Sequence, residues 1–135
     1  MHKDKSSWKR YVIQKHKAKN LHYDFRLEQE GVLNSWAVPK GPSSNPDEKR
    51  LAVEVDDHDL RHLTYESETV TIWDQGKYKN ITGLKQDGEV IPFREAYENG
   101  VIEIKLKGEK LEGDWVLIKM DISDNKNNWL LKKEK

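Results

Sequence analysis

His16 to Leu27 reads H-K-A-K-N-L-H-Y-D-F-R-L, and its second half alternates with the period of a β-strand. Leu21, Tyr23, Phe25 and Leu27 fall on one face; His22, Asp24 and Arg26 fall on the other. The apolar face predicts burial against a core. A merely solvated second face would favour Lys, Glu, Thr and Ser, whereas this one carries an imidazole, a carboxylate and a guanidinium in a row. Alternate residues of a strand lie roughly 6.5–7 Å apart, so His22 and Asp24 can converge on one ion with Arg26 one step beyond. His16 supplies a third ligand if the chain between them bends. Two imidazoles and a carboxylate suit zinc, manganese or iron and leave coordination positions open for water or substrate. Arg26 adds a planar fork of donors matched to phosphate or carboxylate oxygens. The same face also accommodates a plain His22–Asp24 hydrogen bond, and a motif this short leaves both readings open.

Working outward, Arg10–Gln14 reads as a first short strand, with Val12 and Gln14 on one face and Tyr11 and Ile13 on the other, followed by a polar bend around His16. On the far side, Glu30-Gly31 turns the chain into a strand from Val32 to Val38, which predicts a hairpin. Pro39 to Pro46 holds three prolines and is a loop containing Lys40. Residues 51–56 alternate again with Leu51, Val53 and Val55 inward, and the strand runs straight into His58 and His62, candidates for the rim of a site. Val70–Trp73 is a short strand closed by Asp74-Gln75-Gly76, and Pro92–Asn99 is the one expected helix, stopped by Gly100. Val101–Leu106, Trp115–Met120 and Trp129–Lys132 complete the strands. Short strands with polar turns and one brief helix indicate an all-β fold. A small antiparallel β-barrel is favoured because closure removes exposed edges. The strand bearing His22, Asp24 and Arg26 is expected to face a concave interior or mouth, with Trp36, Trp73, Trp115 and Trp129 in the core.

At 135 residues the chain suits a single domain over 1–135, with about residues 1–9 a basic leader. Lys3, Lys5, Lys9, Arg10, Lys15, Lys17 and Lys19 stand against Asp4 alone before Asp24, yet 24 Lys and Arg balance 24 Asp and Glu overall. No global basic field exists, so any nucleic-acid contact must be local. There are no cysteines, which excludes disulfides and thiolate metal sites. No apolar run approaches a signal-peptide core or a membrane span. A cytoplasmic protein with no membrane partner is expected, nucleoid-associated if the source is a prokaryote.

The ordered series Q-K-H at Gln14–His16, L-H-Y-D-F-R-L-E at Leu21–Glu28, G-V-L-x-S-W-A-V-P-K-G-P-S from Gly31 to Ser43, K-R-L-A-V-x-V-x-D-H at Lys49–His58 and I-W-D-x-G at Ile72–Gly76 resembles the 3′-phosphoesterase module of bacterial DNA ligase D and its stand-alone archaeal homologues. The likeness continues through Lys110–Leu117 to the W-L-L-K of Trp129–Lys132 and so covers nearly the whole chain. It implies a manganese-dependent (Mn2+; Co2+ or Zn2+ as substitutes) enzyme that heals 3′ ends at DNA breaks, removing a terminal ribonucleoside and then hydrolysing the remaining 3′-phosphate to a hydroxyl. The implied substrates are DNA or RNA/DNA primer-template 3′ ends, and the implied partners a DNA ligase, a polymerase or Ku-like repair proteins. By the same resemblance His16, His22 and Asp24 match the metal ligands, and Arg26 and His58 the contacts to the scissile phosphate. Gln14, Lys40 and Arg50 match supporting positions, and the site is expected on the concave surface of a small β-barrel.

Two departures stand out. His62 occupies the position of a family tyrosine that contacts phosphate, with Tyr65 a second candidate for that role. A glycine-rich turn before the I-W-D strand is missing, and Tyr65–Thr69 leads almost directly into that strand. Two rival readings follow from the residues. A 2-His-1-carboxylate iron oxygenase would recruit His58 as third ligand, and a non-catalytic nucleic-acid or ligase-binding module would keep the scaffold without the chemistry.

Overall fold

The computed structural model describes residues 7–120 and 127–135. Eight strands, β1 (Trp8–Lys17), β2 (Leu21–Gln29), β3 (Val32–Val38), β4 (Arg50–Asp59), β5 (Val70–Asn80), β6 (Val101–Gly108), β7 (Glu112–Lys119) and β8 (Asn128–Lys133), form a closed barrel in the order β1-β2-β3-β4-β8-β7-β6-β5. Every pairing is antiparallel. The expected helix is α2 (Phe93–Asn99); a single turn α1 (Leu84–Asp87) and a 3₁₀ turn (Leu60–Thr64) accompany it. Of the expected leader, residues 1–6 lie outside the described residues, while Trp8 and Lys9 already belong to β1. Among the described residues no helix is long and apolar enough to cross a membrane.

The barrel interior is filled by the alternating apolar faces: Tyr11 and Ile13 of β1, Phe25 and Leu27 of β2, and Trp36, Ile102, Ile104, Trp115, Leu117 and Trp129 from the other strands. Trp73 is the exception among the four tryptophans assigned to the core. It is half-buried, edge-on to Tyr23, with the Lys110 ammonium 4.7 Å above its ring. A smaller cluster of Val12, Leu33 and Leu63, with Leu60 and Ile72, sits on the opposite face of the sheet and pins the 3₁₀ turn to it. Because the interior is filled, the face carrying His22, Asp24 and Arg26 lines neither interior nor mouth. It is the outer wall of the barrel, and the concavity arises where the 3₁₀ turn and the chain leading to β5 stand up from that wall.

Two strands correct the expectations. On β4 the phase is reversed: Leu51 and Val55 are 40% and 37% exposed, and Ala52 is fully buried. Glu54 shares the inward face because the Trp129 indole N–H and the Tyr97 hydroxyl donate to its carboxylate at 3.1 and 2.6 Å. That bond and burial push the Tyr97 phenol up to about 12. On β5, Asp74-Gln75-Gly76 is no turn. The strand continues to Asn80, with one extra residue at Trp73 absorbed where Ile13 pairs Asp74 and Gln14 pairs Ile72. Asp74 is fully buried and accepts from Tyr11 Oη at 2.6 Å and from the backbone N–H groups of Lys110 and Leu111 at 2.7 and 3.1 Å. Gly76 marks close approach of two strands, since a Cβ there would lie 2.2 Å from the Lys107 carbonyl oxygen.

Candidate active site

The β1–β2 hairpin builds the centre. The three residues between Lys17 and Leu21 close it, so β1 runs on through His16 and the bend falls after that residue. The register then places His16 opposite His22, Gln14 opposite Asp24 and Val12 opposite Arg26, all on the outer face. His16 Nδ1 lies 3.2 Å from His22 Nε2. Asp24 Oδ1 is 3.3 Å from His22 Nε2, and Oδ2 is 3.6 Å from His16 Nδ1. Donors about 2.1 Å from a shared ion lie roughly 3.0–3.4 Å from one another in octahedral or tetrahedral arrangements, so these separations fit a divalent cation. His22 Nδ1 donates to the Asn20 carbonyl at 3.1 Å, which leaves the Nε2 lone pair facing the other two donors. Asp24 is buried and the imidazoles are half-buried, so the open side of the trio faces solvent. Among the described residues this is the one such group, and His58 does not belong to it.

Arg26, only 6% exposed, is fixed from three sides. Nε donates to Gln14 Oε1 at 2.8 Å, Nη1 donates to Ser35 Oγ at 2.9 Å, and Nη2 lies 3.5 Å from Asp24 Oδ2. Burial pulls its pKa down, opposed by Asp24; a guanidinium stays charged regardless. Nη1 is also 2.9 Å from His58 Nδ1, which in turn lies 3.0 Å from the Asp56 carbonyl oxygen. A guanidinium only donates and a carbonyl only accepts, so Nδ1 serves one of them at a time. With Nδ1 accepting from Arg26, the proton sits on Nε2 and is free to be donated outward.

Gln14 joins the hairpin to the standing wall, since its Nε2 donates to the carbonyls of His62 and Tyr65 at 2.7 and 3.1 Å. The wall presents His62, whose ring lies between His58 (centroids 4.7 Å apart) and Tyr65 (5.2 Å). Burial, with Arg26 and His58 adding to it, lowers the His62 pKa, and its Nδ1 is buried without a hydrogen-bond partner among the described residues. The resulting cleft of about 470 Å³ is lined by Gln14, His16, Asp24, Arg26, His58 and His62, closed by Tyr65 to Val70.

The structure therefore brings together eight of the ten residues singled out from the sequence: Gln14, His16, His22, Asp24, Arg26, His58, His62 and Tyr65. Lys40 is exposed in the turn after β3, and Arg50 opens β4 with Nη2 3.5 Å from Glu48; neither lines the cleft. Sequence reading passed over Ser35, which anchors Arg26 and donates in turn to the Leu33 carbonyl at 3.0 Å. Its signal was register: with Glu30 and Gly31 as a two-residue turn, both at positive φ, Ser35 falls directly opposite Arg26.

Residues 14–119 match the family model of the DNA ligase D 3′-phosphoesterase domain. The chain is 42% identical over 142 residues to the multifunctional non-homologous end joining protein LigD of Pseudomonas aeruginosa, covering 98% of this chain and 16% of that protein. It is 36% identical over 135 residues to LigD of Mycolicibacterium smegmatis, covering 90% of this chain and 16% of that one. With the multifunctional non-homologous end joining DNA repair protein LigD of Mycobacterium tuberculosis the identity is 35% over 129 residues, 89% of this chain and 15% of the relative. The chain thus spans about a sixth of the length of these relatives.

Proposed function

The chain belongs to the DNA ligase D 3′-phosphoesterase family, and from that premise we propose that it is a manganese-dependent hydrolase of 3′ ends at broken DNA. Its reactions are removal of a terminal ribonucleoside and hydrolysis of a 3′-phosphate to a hydroxyl, on DNA or RNA/DNA primer-template ends. The observation that carries the reading is the convergence of His16, His22 and Asp24 beside a buried Arg26 whose donors are already oriented. A ligase, a polymerase or a Ku-like end-binding protein is the partner this role calls for, in the cytoplasm of the cell.

His16, His22 and Asp24 would hold the ion. When bound, such an ion neutralises charge on a phosphoryl oxygen and lowers the pKa of water. Arg26 is the phosphate clamp: its position is set by Gln14 and Ser35 before substrate arrives, so little reorganisation is needed as charge develops on the equatorial oxygens. His58, with Nδ1 turned to Arg26, presents Nε2–H to a phosphate oxygen or to the departing oxygen. His62, whose pKa is lowered by burial and by the positive charges around it, adds a hydrogen-bonding ring beside His58, with the Tyr65 ring tilted against it. The short Tyr65–Thr69 connection makes the cleft wall directly.

The test is incubation of duplex primers ending in a 3′-ribonucleotide or a 3′-phosphate, with and without manganese, for the wild type and His22→Ala. Metal-dependent shortening or dephosphorylation that is absent in the variant is expected. Hydrolysis of neither end by the wild type, with manganese binding intact, would overturn the reading.

A further inference from the structure

The outer face of β1 does not end at the cleft. Beyond Gln14 and Val12 it carries Arg10 and Trp8, and the neighbouring strands add lysines: Trp8 pairs Lys79 and Arg10 pairs Lys77 on β5, while Lys77 pairs Lys107 and Lys79 pairs Lys105 on β6. Arg10 and Lys105 are neutralised, by Glu28 at 3.1 Å and by Asp114 at 2.6 Å. Lys77, Lys79 and Lys107 have no ion pair among the described residues, although Glu112 stands opposite Lys107 in the β6–β7 register. Lys77 and Lys107 face each other directly, an arrangement that repels in an antiparallel sheet. Trp8 is 39% exposed between them, with the ammonium groups of Lys79 and Lys107 5.3 and 5.5 Å from its ring centroid. A chain of balanced total charge has thus gathered unpaired cations and an exposed indole on one sheet face, continuous with the strand that supplies Gln14 and His16.

We propose that this β1–β5–β6 face binds the phosphodiester backbone of the DNA duplex whose 3′ end enters the cleft. The inference rests on reading the cleft as a 3′-end site. It adds where the rest of the nucleic acid lies. Charge complementarity argues for the occupant: a polyanion relieves the Lys77–Lys107 repulsion and accepts charge-assisted hydrogen bonds from Lys79 and Lys107, which the Trp8 ring holds side by side. Spacing argues for the path. From Gln14 and His16 back to Trp8 is six to eight strand residues, roughly 20–26 Å, which corresponds to about 6–8 base pairs at ~3.4 Å per step.

The experiment compares wild type, the triple variant Lys77→Gln/Lys79→Gln/Lys107→Gln, its Lys→Arg counterpart and Trp8→Ala for binding to fluorescent DNA hairpins with 3′-phosphate ends and stems of about 4 or about 12 base pairs. Each lysine on a phosphate contributes about 0.9 to the slope of log Kd against log salt, so the triple Gln variant should lose roughly 2.7 of that slope and bind the long stem tens of times more weakly at low salt. Trp8→Ala should weaken the long stem and leave the salt slope alone. The Lys→Arg variant should retain wild-type affinity, and all variants should bind the short stem alike. Hydrolysis of a 2′-deoxynucleoside 3′-monophosphate should be unchanged in the Gln variant, which shows that the cleft is intact. Equal affinity and salt slope of wild type and Gln variant on the long stem, or equal losses on both stems, would overturn the inference. Length-dependent binding lost in the Gln variant, in a protein that hydrolyses neither the hairpins nor the mononucleotide, would support the docking face while removing the catalytic reading.

Discussion

Replacing Gln14 with leucine removes a side chain of similar size whose three hydrogen bonds tie two parts of the site together. Its Oε1 accepts from Arg26 Nε at 2.8 Å, and its Nε2 donates to the His62 and Tyr65 carbonyls at 2.7 and 3.1 Å. The charged donor left behind is buried, so its loss costs about 1.5–3 kcal/mol. The two carbonyls lie nearer solvent and cost about 1 kcal/mol each. The sum, ~3–5 kcal/mol, is a large share of the stability of an ordinary domain. At roughly 3–5 °C per kcal/mol for a chain of this size, the melting temperature should fall by about 10–20 °C. Thermal unfolding followed by circular dichroism measures that. Below the transition, hydrolysis of a 3′-phosphate should show a raised KM as well as a lowered kcat, because Arg26 and the wall carrying His62 both lose their anchor. A melting temperature within about 3 °C of wild type, with unchanged KM, would mean that the Gln14 bridge does not hold the cleft together.

His58→Ala should leave manganese binding by calorimetry intact while lowering hydrolysis by about 10²–10³-fold; loss of the ion with His58 would instead favour the oxygenase-type ligand set. Gly108→Ala places a Cβ 1.8 Å from Tyr11 Oη, so it should break the buried Tyr11–Asp74 bond and lower stability by about 2–4 kcal/mol in urea titration. The Glu28 carboxyl is held below the usual carboxylate range by hydrogen bonding and attraction to Arg10. Its contribution is complete above the unfolded pKa near 4.3 and is lost as pH falls through the lower folded value. Arg10→Ala should therefore cost up to about 1 kcal/mol at pH 7, reduced by the exposure of Arg10, and almost nothing once Glu28 is protonated; an equal cost at both pH extremes would refute the pairing.

Strand alternation made the barrel and the hairpin at its heart readable, because a residue's face follows from its parity once one face is apolar. The same rule failed on β4. There the inward carboxylate of Glu54 is satisfied by Trp129 and Tyr97, partners 75 and 43 residues away, and no local pattern announces them. Gly76 misled for a related reason: glycine signals either a turn or a tight strand contact, and only the approach of Lys107 decides between them. His16, His22, Asp24 and Arg26 were legible as a set because one hairpin holds them. The wall with His62 and Tyr65 was not, since a buried glutamine and a small apolar cluster fix its position.

That division bears on how the molecule loses function as it opens. The three residues of the candidate ion site and Arg26 occupy residues 16–26 of one hairpin, so little loop-closure entropy separates them and the group can persist in partly unfolded species. His58 reaches Arg26 across 32 positions of chain, and the 3₁₀ turn reaches Gln14 across 48. Heating or mild denaturant should detach that second layer first. The molecule would then pass through a state that still captures a cation but can no longer orient a phosphate, and hydrolysis would fail at a lower temperature than ion binding does.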